Sequence, residues 1–260
     1  MLEAKEEMRR EPGRAAAVAP AFPFERTLII VPAYNEAGRV GAVVADVHAS
    51  VPDADLLVVD DGSSDDTAGE ARSAGASVLS LPVNLGYGAA LQTGYKYAVR
   101  RDYVYVGQLD GDGQHLAWQI PALAERLQEP GVDVVIGSRF LDRDGHYRPS
   151  RARKLGMALF ARIASTLTRQ HVSDPTSGFQ LMRIEVARFF SSEVYPSDYP
   201  DADILILLHR SGFRVAEVGV QMGPPPGKSM HSGHRSLYYV YKMSLSILVT
   251  ILRRGTGGRS

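Results

Sequence analysis

The chain has 260 residues, 45% of them hydrophobic, and carries 29 Lys plus Arg against 29 Asp plus Glu. A chain of this length and apolar content buries one sizeable core. Its zero formal charge lacks the basic excess typical of proteins that bind nucleic acid, and we expect no nucleic-acid partner. Without cysteine it has neither disulfides nor thiolate chemistry.

The first residues are charged and then rich in Ala and Pro, without the basic-then-apolar order of a signal peptide. We expect residues 1–25 to form a disordered leader, followed by a main domain over 26–230 and a C-terminal segment over 231–260. No uninterrupted apolar run reaches the 18 residues or so that a membrane-spanning helix needs.

Five short runs rich in β-branched and other apolar residues alternate with longer helical patterns. The runs are TLIIV (27–31), LLVVD (56–60), SVLSL (77–81), YVYVGQL (103–109) and DVVIG (133–137). This alternation predicts an α/β fold with a mainly parallel sheet flanked by helices. Ligands of such sheets bind at the carboxyl ends of the strands.

Polar segments follow four of the predicted strands: PAYNEAG (32–38), DDGSSDDT (60–67), DGDGQH (110–115) and SRF (138–140). Carboxylates crowded at one edge repel each other unless a cation joins them, so we expect a divalent metal there. A simple turn at Asp110–Asp112 is the alternative, because Asp and Gly are common turn residues.

The segment GSSDDT also has a local explanation. Ser63 or Ser64 is predicted to cap the following helix, with Asp65 and Asp66 in its first turn. Two nucleotide motifs are excluded. No G-x-G-x-x-G follows the first strand, and GPPPGKS (223–229) has prolines where a phosphate-binding loop needs amide hydrogens.

Six segments occur in an order that resembles the family 2 glycosyltransferases: VPAYNE, VVDDGSSDDT, NLGYGAALQTG, DGDGQH, GSRF and DPTSGFQLMR. Within that family the chain resembles the polyprenyl-phosphate glycosyltransferases of the dolichol-phosphate mannose synthase type, over roughly residues 27–230. The resemblance implies an A-type glycosyltransferase fold, which is Rossmann-like, a catalytic domain over 26–230, and transfer with inversion.

The resemblance also assigns donor-site residues. The nucleotide-sugar contacts it implies are Pro32, Tyr34, Glu36, Asp60, Asp61, Asn84, Gly86 and Asp110. It implies that Asp110, Asp112 and Gln114 meet Mg²⁺ or Mn²⁺ and the donor diphosphate, and that Asp112 is catalytic. The motif is Asp-Gly-Asp here, whereas many relatives have Asp-Ala-Asp, and the metal-facing side chains are kept.

Several basic residues are candidates for the acceptor. Arg139 at a strand end is predicted to be catalytic and to clamp phosphate through its guanidinium, with a surface arginine as the alternative. By resemblance, the acceptor phosphate meets Arg148, Arg151, Arg153, Lys228 and Ser229. A solvated basic helix start near a membrane surface is the alternative for the arginines.

Asp203 matches the general base of relatives that glycosylate a hydroxyl, although Asp-Ala-Asp replaces their usual Glu-Asp pair. The alternative is that Asp201 or Asp203 is a helix N-cap. In the last segment, Lys242, Ser246 and Thr250 share one stripe of an otherwise apolar helix. We expect this amphipathic helix to contact a membrane or a partner subunit, or else to pack against the domain.

The sequence therefore predicts a metal-dependent inverting glycosyltransferase. Its expected donor is a GDP- or UDP-sugar, its acceptor a polyprenyl phosphate (dolichyl or undecaprenyl), and its location peripheral at the cytoplasmic face of a membrane. The alternatives are a saccharide hydroxyl as acceptor in cell-surface polysaccharide synthesis, a nucleotidyltransferase, and a non-catalytic nucleotide-sugar-binding subunit.

Overall fold

A computed structural model describes residues 21–141, 161–162, 165–166, 172–192, 195 and 202–223. Within them lie seven strands that form one sheet. The strands are β1 (Thr27–Ala33), β2 (Asp55–Asp60), β3 (Ser77–Ser80), β4 (Tyr105–Gln108), β5 (Val134–Ser138), β6 (Gln180–Arg183) and β7 (Val215–Gly219).

Six α-helices have both ends in the described ranges, and they connect or follow these strands. They are α1 (Val40–Ser50), α2 (Thr67–Ser73), α3 (Tyr87–Val99), α4 (Ile120–Leu127), α5 (Ile184–Phe190) and α6 (Ala202–Arg210). Single turns of 3₁₀ helix precede β1 and α4, at Phe24–Arg26 and Ala117–Gln119.

The strand order across the sheet is β3-β2-β1-β4-β6-β5-β7. β6 is antiparallel to both of its neighbours, and every other pairing is parallel. The carboxyl ends of β1, β2 and β4 therefore meet at one edge, near the centre of the sheet. Pro32 lies in β1 beyond the last pair with β4, Ile30 and Gln108, where its missing N–H costs no hydrogen bond to β4.

The alternating side chains of the strands divide the core into two layers. Ile29 and Val31 pack with α1 and α4 on one face, whereas Leu28 and Ile30 pack with α3, α5 and α6 on the other. Since both faces are covered, the central strands are apolar throughout, as expected for buried parallel strands.

The five predicted strands are confirmed, with ends shifted by at most two residues. β6 was not predicted, and neither was β7, which follows α6. Among the described helices, none is long and apolar enough to cross a bilayer. The C-terminal helix and residues 1–20 of the predicted leader over 1–25 lie outside the described residues. Residues 21–25 do not continue a disordered leader, because Phe22 and Phe24 pack against the core.

Candidate active site

The loops after β1 and β2 are joined by side-chain to backbone hydrogen bonds. The amide of Glu36 donates to Thr67 Oγ1 at 2.8 Å, and the amide of Ala37 donates to Asp65 Oδ2 at 3.2 Å. Glu70 on α2 accepts from the amides of Gly38 and Gly41 at 2.5 and 2.9 Å. These bonds fix the position of Glu36 relative to the end of β2.

Asn35 adopts a left-handed backbone conformation, with φ of 55°. Its side-chain oxygen accepts from the Ser64 amide at 2.9 Å, and its own amide donates to Ser63 Oγ at 3.0 Å. Asn tolerates this conformation better than most residues, which explains its place in the turn. The turn brings Tyr34 to the surface, where 47% of it is exposed.

The predicted capping of α2 by a serine is wrong. The helix begins at Thr67, and Asp66, the N-cap residue, makes no side-chain capping bond. Ser63 Oγ instead accepts the Asn35 amide, while Asp65 Oδ1 accepts the Thr67 amide at 3.1 Å. The hydrogen bond from the Thr67 hydroxyl lowers the pKa of Asp65.

Asp60 and Asp61 are both buried at the end of β2. Asp61 Oδ1 accepts from the Leu85 amide at 2.7 Å, and Oδ2 accepts from the Gly86 amide at 2.9 Å. Gly86 has φ of 99°, a conformation that favours glycine. Asp61 therefore holds the segment 84–86, which we call the nucleotide loop because it contains two of the expected nucleotide contacts, Asn84 and Gly86.

Asp110 lies just beyond β4, with about a third of its side chain exposed. A Cβ on the neighbouring Gly111 would come within 3.0 Å of the Pro32 carbonyl oxygen, so glycine lets the chain pass close to β1. Tyr87, the first residue of α3, donates its phenol to Asp110 Oδ1 at 2.7 Å. This contact connects the nucleotide loop to Asp110.

His115 supports the same segment from inside the protein. Its ring is 4% exposed and stacks on Phe179, with centroids 5.3 Å apart. Nδ1 accepts the Asp110 amide at 3.1 Å, which requires the neutral ring to carry its proton on Nε2. Nδ1 also lies 3.5 Å from Asp110 Oδ2. A buried side chain thus fixes the backbone at Asp110.

Asp112 and Gln114 are joined by two hydrogen bonds. Asp112 Oδ1 accepts the Gln114 amide at 2.9 Å, and Oδ2 accepts the Gln114 side-chain nitrogen at 2.5 Å. The Gln114 carbonyl in turn accepts the Gly223 amide at 2.8 Å. In this arrangement Gln114 orients Asp112, and the segment after β7 lies against Gln114.

Negative charge is concentrated at this edge of the sheet. Burial raises the pKa of Glu36; Arg39 opposes the rise, and the negative charges of Asp112 and Asp110 add to it. Glu36 Oε2 makes no hydrogen bond, although Arg39 Nη2 lies 2.6 Å away, because the geometry of that ion pair is unsuitable. A positive ligand near Asp110 and Asp112 would offset this charge.

The donor set fits a hard divalent cation. Asp110 and Asp112 are partly exposed, and each carboxylate oxygen that accepts one hydrogen bond keeps a lone pair. Within the described residues no group of three or more acidic, His or Cys side chains forms a complete metal site. The remaining ligands of a bound ion would have to come from a substrate, water or other residues.

The guanidinium of Arg139, which is expected to clamp phosphate, is paired with a carboxylate in the structure. Its Nε and Nη2 donate to the two carboxylate oxygens of Asp174, each at 2.6 Å, and Nη2 also donates to Thr176 at 2.7 Å. Asp174 is fully buried, and its amide donates to Glu217 on β7. The planar fork that would grip phosphate is thus engaged by a carboxylate, and Arg139 holds the segment 174–178 against β5.

Only some of the other predicted site residues lie in the part of the chain that the structure describes. Pro32 is buried in β1, and Asn84 is exposed in the nucleotide loop. Asp203 lies in the first turn of α6, which begins at Ala202, so it is not the N-cap. The candidates Arg148, Arg151, Arg153, Lys228 and Ser229 lie outside the described residues, as does Asp201.

Comparison with solved structures identifies the fold. Mannosyl-3-phosphoglycerate synthase from Rubrobacter xylanophilus has a TM-score of 0.63 at 21% identity, covering 87% of this chain and 74% of that one. Glucosyl-3-phosphoglycerate synthase from Mycobacterium tuberculosis, solved with Mn²⁺ and UDP-glucose, has a TM-score of 0.62 at 22% identity, covering 86% and 78%. The predicted A-type glycosyltransferase fold is confirmed.

Comparison of sequences identifies the family. The family described as "Glycosyl transferase family 2" matches residues 28–190. Polyprenol monophosphomannose synthase of Mycolicibacterium smegmatis is 31% identical over 223 residues, which are 81% of this chain and 82% of that protein. Undecaprenyl-phosphate mannosyltransferase of Micrococcus luteus is 30% identical over 205 residues, 75% and 82% respectively. The chain belongs to glycosyltransferase family 2 and is a glycosyltransferase.

Sequence reasoning missed four residues that support the site: Tyr87, His115, Asp174 and Glu217. Tyr87, His115 and Asp174 lie in segments singled out above, but the partners of Tyr87 and Glu217 are distant in sequence, 23 and 43 residues away. The only available signal was their occurrence near motifs, which does not show what they contact.

Proposed function

We propose that this protein is a metal-dependent, inverting glycosyltransferase that moves a sugar from a GDP- or UDP-sugar to a polyprenyl phosphate. The observation that carries the proposal is the position of Asp110 and Asp112, two partly exposed carboxylates beyond β4 and close to the ends of β1 and β2. The relatives named polyprenol monophosphomannose synthase and undecaprenyl-phosphate mannosyltransferase support the acceptor class.

The donor is held by residues at or after the carboxyl ends of β1, β2, β3 and β4. Asp110 and Asp112, with Gln114 orienting Asp112, hold Mg²⁺ or Mn²⁺ and so face the donor diphosphate. The ion supplies Lewis-acid stabilisation of the leaving diphosphate when bound. The base and ribose are held by residues of the neighbouring loops: Pro32, Tyr34, Glu36, Asp60, Asp61, Asn84 and Gly86.

The reaction is a single displacement at the anomeric carbon. An oxygen of the acceptor phosphate forms the new bond, the bond to the donor diphosphate breaks, and the nucleoside diphosphate leaves with the electron pair. A phosphate monoester has its second pKa near ~6, so at neutral pH it is already mostly a dianion. It therefore needs no general base, and basic residues suffice to bind it.

The acceptor site is proposed on residues beyond the described ranges. Arg148, Arg151 and Arg153 bind the acceptor phosphate, together with Lys228 and Ser229. The segment that leads toward Lys228 ends, in the described part of the chain, at Gly223 against Gln114. The protein works peripherally at the cytoplasmic face of a membrane, through its C-terminal segment or a membrane partner.

The Asp203→Asn variant tests the acceptor class. With a short-chain polyprenyl phosphate as acceptor, we expect its transfer rate to stay within about threefold of the wild-type rate, since a dianionic phosphate needs no base. A fall of about 100-fold or more would identify Asp203 as a general base and favour a saccharide hydroxyl as acceptor. Donor binding without any transfer or hydrolysis would instead indicate a binding subunit.

A further inference from the structure

Asp110 is held by three neighbours from different parts of the chain. Its Oδ1 accepts the Tyr87 phenol at 2.7 Å, and its amide donates to His115 at 3.1 Å. Gly178, after β5 in sequence and just before β6, closes the third side: a Cβ there would lie 2.7 Å from Tyr87 Oη and 3.0 and 3.3 Å from the two Asp110 oxygens.

We propose that Tyr87 is a positioning residue that fixes the Asp110 carboxylate for the divalent cation and couples it to the nucleotide loop. This inference rests on the proposed metal-dependent function. Tyr87 follows Gly86 directly, and the Gly86 amide is bound to Asp61 at 2.9 Å. A continuous set of contacts thus runs from the end of β2, through the nucleotide loop, to the carboxylate beyond β4.

The physical effect of the phenol is to restrict rotation of the carboxylate. A hydrogen bond from a neutral hydroxyl to a carboxylate is charge-assisted and short, as the 2.7 Å distance indicates. It occupies one lone pair of Oδ1 and leaves the other oxygen's lone pairs for a cation. Groups that orient a metal ligand in this way typically change metal affinity by about 10–100-fold when they are removed.

The absence of a side chain at residue 178 serves the same arrangement. The Gly178 Cα faces Tyr87 and Asp110 so closely that a methyl group would displace one of them. The two residues and the glycine come from α3, the loop after β4 and the segment before β6. The Tyr87 to Asp110 bond therefore depends on the assembled fold rather than on local sequence.

The test is Mn²⁺ binding measured by electron paramagnetic resonance, in the presence of UDP and, separately, of GDP. We expect Tyr87→Phe to weaken Mn²⁺ binding about tenfold, and the Mn²⁺ concentration for half-maximal activity to rise by a similar factor while kcat at saturating Mn²⁺ changes less than threefold. Gly178→Ala should weaken Mn²⁺ binding in the same way. A role only in stability would lower the melting temperature without this selective shift.

A matched control exists on the opposite edge of the sheet. Tyr103 donates its phenol to Asp55 at 2.7 Å, the same type of bond at the same length, at the amino end of β2. Tyr103→Phe should leave Mn²⁺ affinity within twofold of the wild-type value.

Two results overturn the inference. Unchanged Mn²⁺ affinity in Tyr87→Phe, or an equal change in Tyr103→Phe, contradicts the positioning role alone. A wild-type chain that binds no Mn²⁺ with either nucleotide contradicts the metal-dependent function and this inference together. The binding measurement needs no acceptor, so an error about the acceptor does not affect it.

Discussion

The Asp112 carboxylate accepts two hydrogen bonds from Gln114, at 2.9 and 2.5 Å, and remains partly exposed. Asp112→Asn replaces one oxygen by an NH₂ group that cannot bind a cation and that would face a donor of Gln114. We expect sugar transfer to fall by about 10²–10³-fold, with little change in the melting temperature. Transfer at the wild-type rate in this variant, measured with labelled donor, would remove Asp112 from the mechanism.

Arg139 and Asp174 form a buried pair, with 9% and 0% of their side chains exposed. Arg139→Gln leaves the Asp174 carboxylate buried without its charge partner, so we expect the free energy of unfolding to fall by about 3–5 kcal/mol. Denaturant unfolding measures this loss.

The control is Arg126→Gln on α4, where the pair with Glu129 is exposed. That variant should change stability by less than about 1 kcal/mol. Equal effects of the two substitutions would contradict a structural role for Arg139.

Glu36 gives a pH dependence of stability. Burial and then the charges of Asp112 and Asp110 raise its pKa, against the effect of Arg39. The folded state therefore binds this proton more tightly than the unfolded state. The contribution to stability is present below the ordinary glutamate pKa of 4.5 and is lost as pH rises through the folded pKa.

Glu36→Gln removes this titration. We expect the free energy of unfolding of wild type minus that of Glu36→Gln to decrease as pH rises from about 4 to 7. Denaturant titrations at several pH values measure it. A difference that is constant over this range, or that increases, would contradict the raised pKa.

At the scale of elements, the segment after β7 is tied to the loop after β4. Gln119 accepts the Gln221 amide at 2.7 Å and donates to the Gln221 carbonyl at 2.9 Å. Gln119→Ala leaves both backbone groups of Gln221 without these partners. We expect this variant to lower the free energy of unfolding by about 1–3 kcal/mol and to speed amide exchange at Gln221.

The matched control is Gln92→Ala on α3. Gln92 also bonds two backbone carbonyls, those of Phe190 and Ser192, but on the other face of the sheet. We expect it to lower stability without changing exchange at Gln221. If exchange at Gln221 were unaffected by Gln119→Ala, the segment would be held by other contacts.

Strands β1 and β2 were predicted correctly because their apolar runs are covered on both faces, and that burial determines their composition. β6 was missed because its four residues, Gln180–Arg183, hold only two apolar residues between two polar ones, directly before a helix. Its antiparallel direction depends on pairing with β4 and β5, which local sequence does not encode.

Among the site residues, the positions of Asp110 and Asp112 followed from their place after a strand. The role of Arg139 did not, because its partner Asp174 is 35 residues away and competes with any ligand for the same guanidinium. Sequence alone identifies a side chain able to bind phosphate, but it does not show whether a buried carboxylate already holds it.

At the scale of the whole molecule, the C-terminal segment is predicted to bring the protein to its lipid acceptor. A chain ending at residue 235 should sediment less with anionic liposomes than the full chain does, since it lacks the amphipathic stretch and its terminal arginines. Its transfer to a short-chain acceptor in detergent should persist, which controls for folding. Equal sedimentation of both chains would contradict membrane contact through this segment.

The most direct test of the proposed function is sugar transfer to a short-chain polyprenyl phosphate in detergent, with a panel of labelled GDP- and UDP-sugars. The reactions contain Mn²⁺ or Mg²⁺, or a chelator in their place, and Asp112→Asn is the matched control. We expect one donor to label the lipid in the presence of metal, with little label in the chelated and Asp112→Asn reactions. Label that appears only in free sugar, or transfer that is unaffected by chelation, would contradict a metal-dependent polyprenyl-phosphate glycosyltransferase.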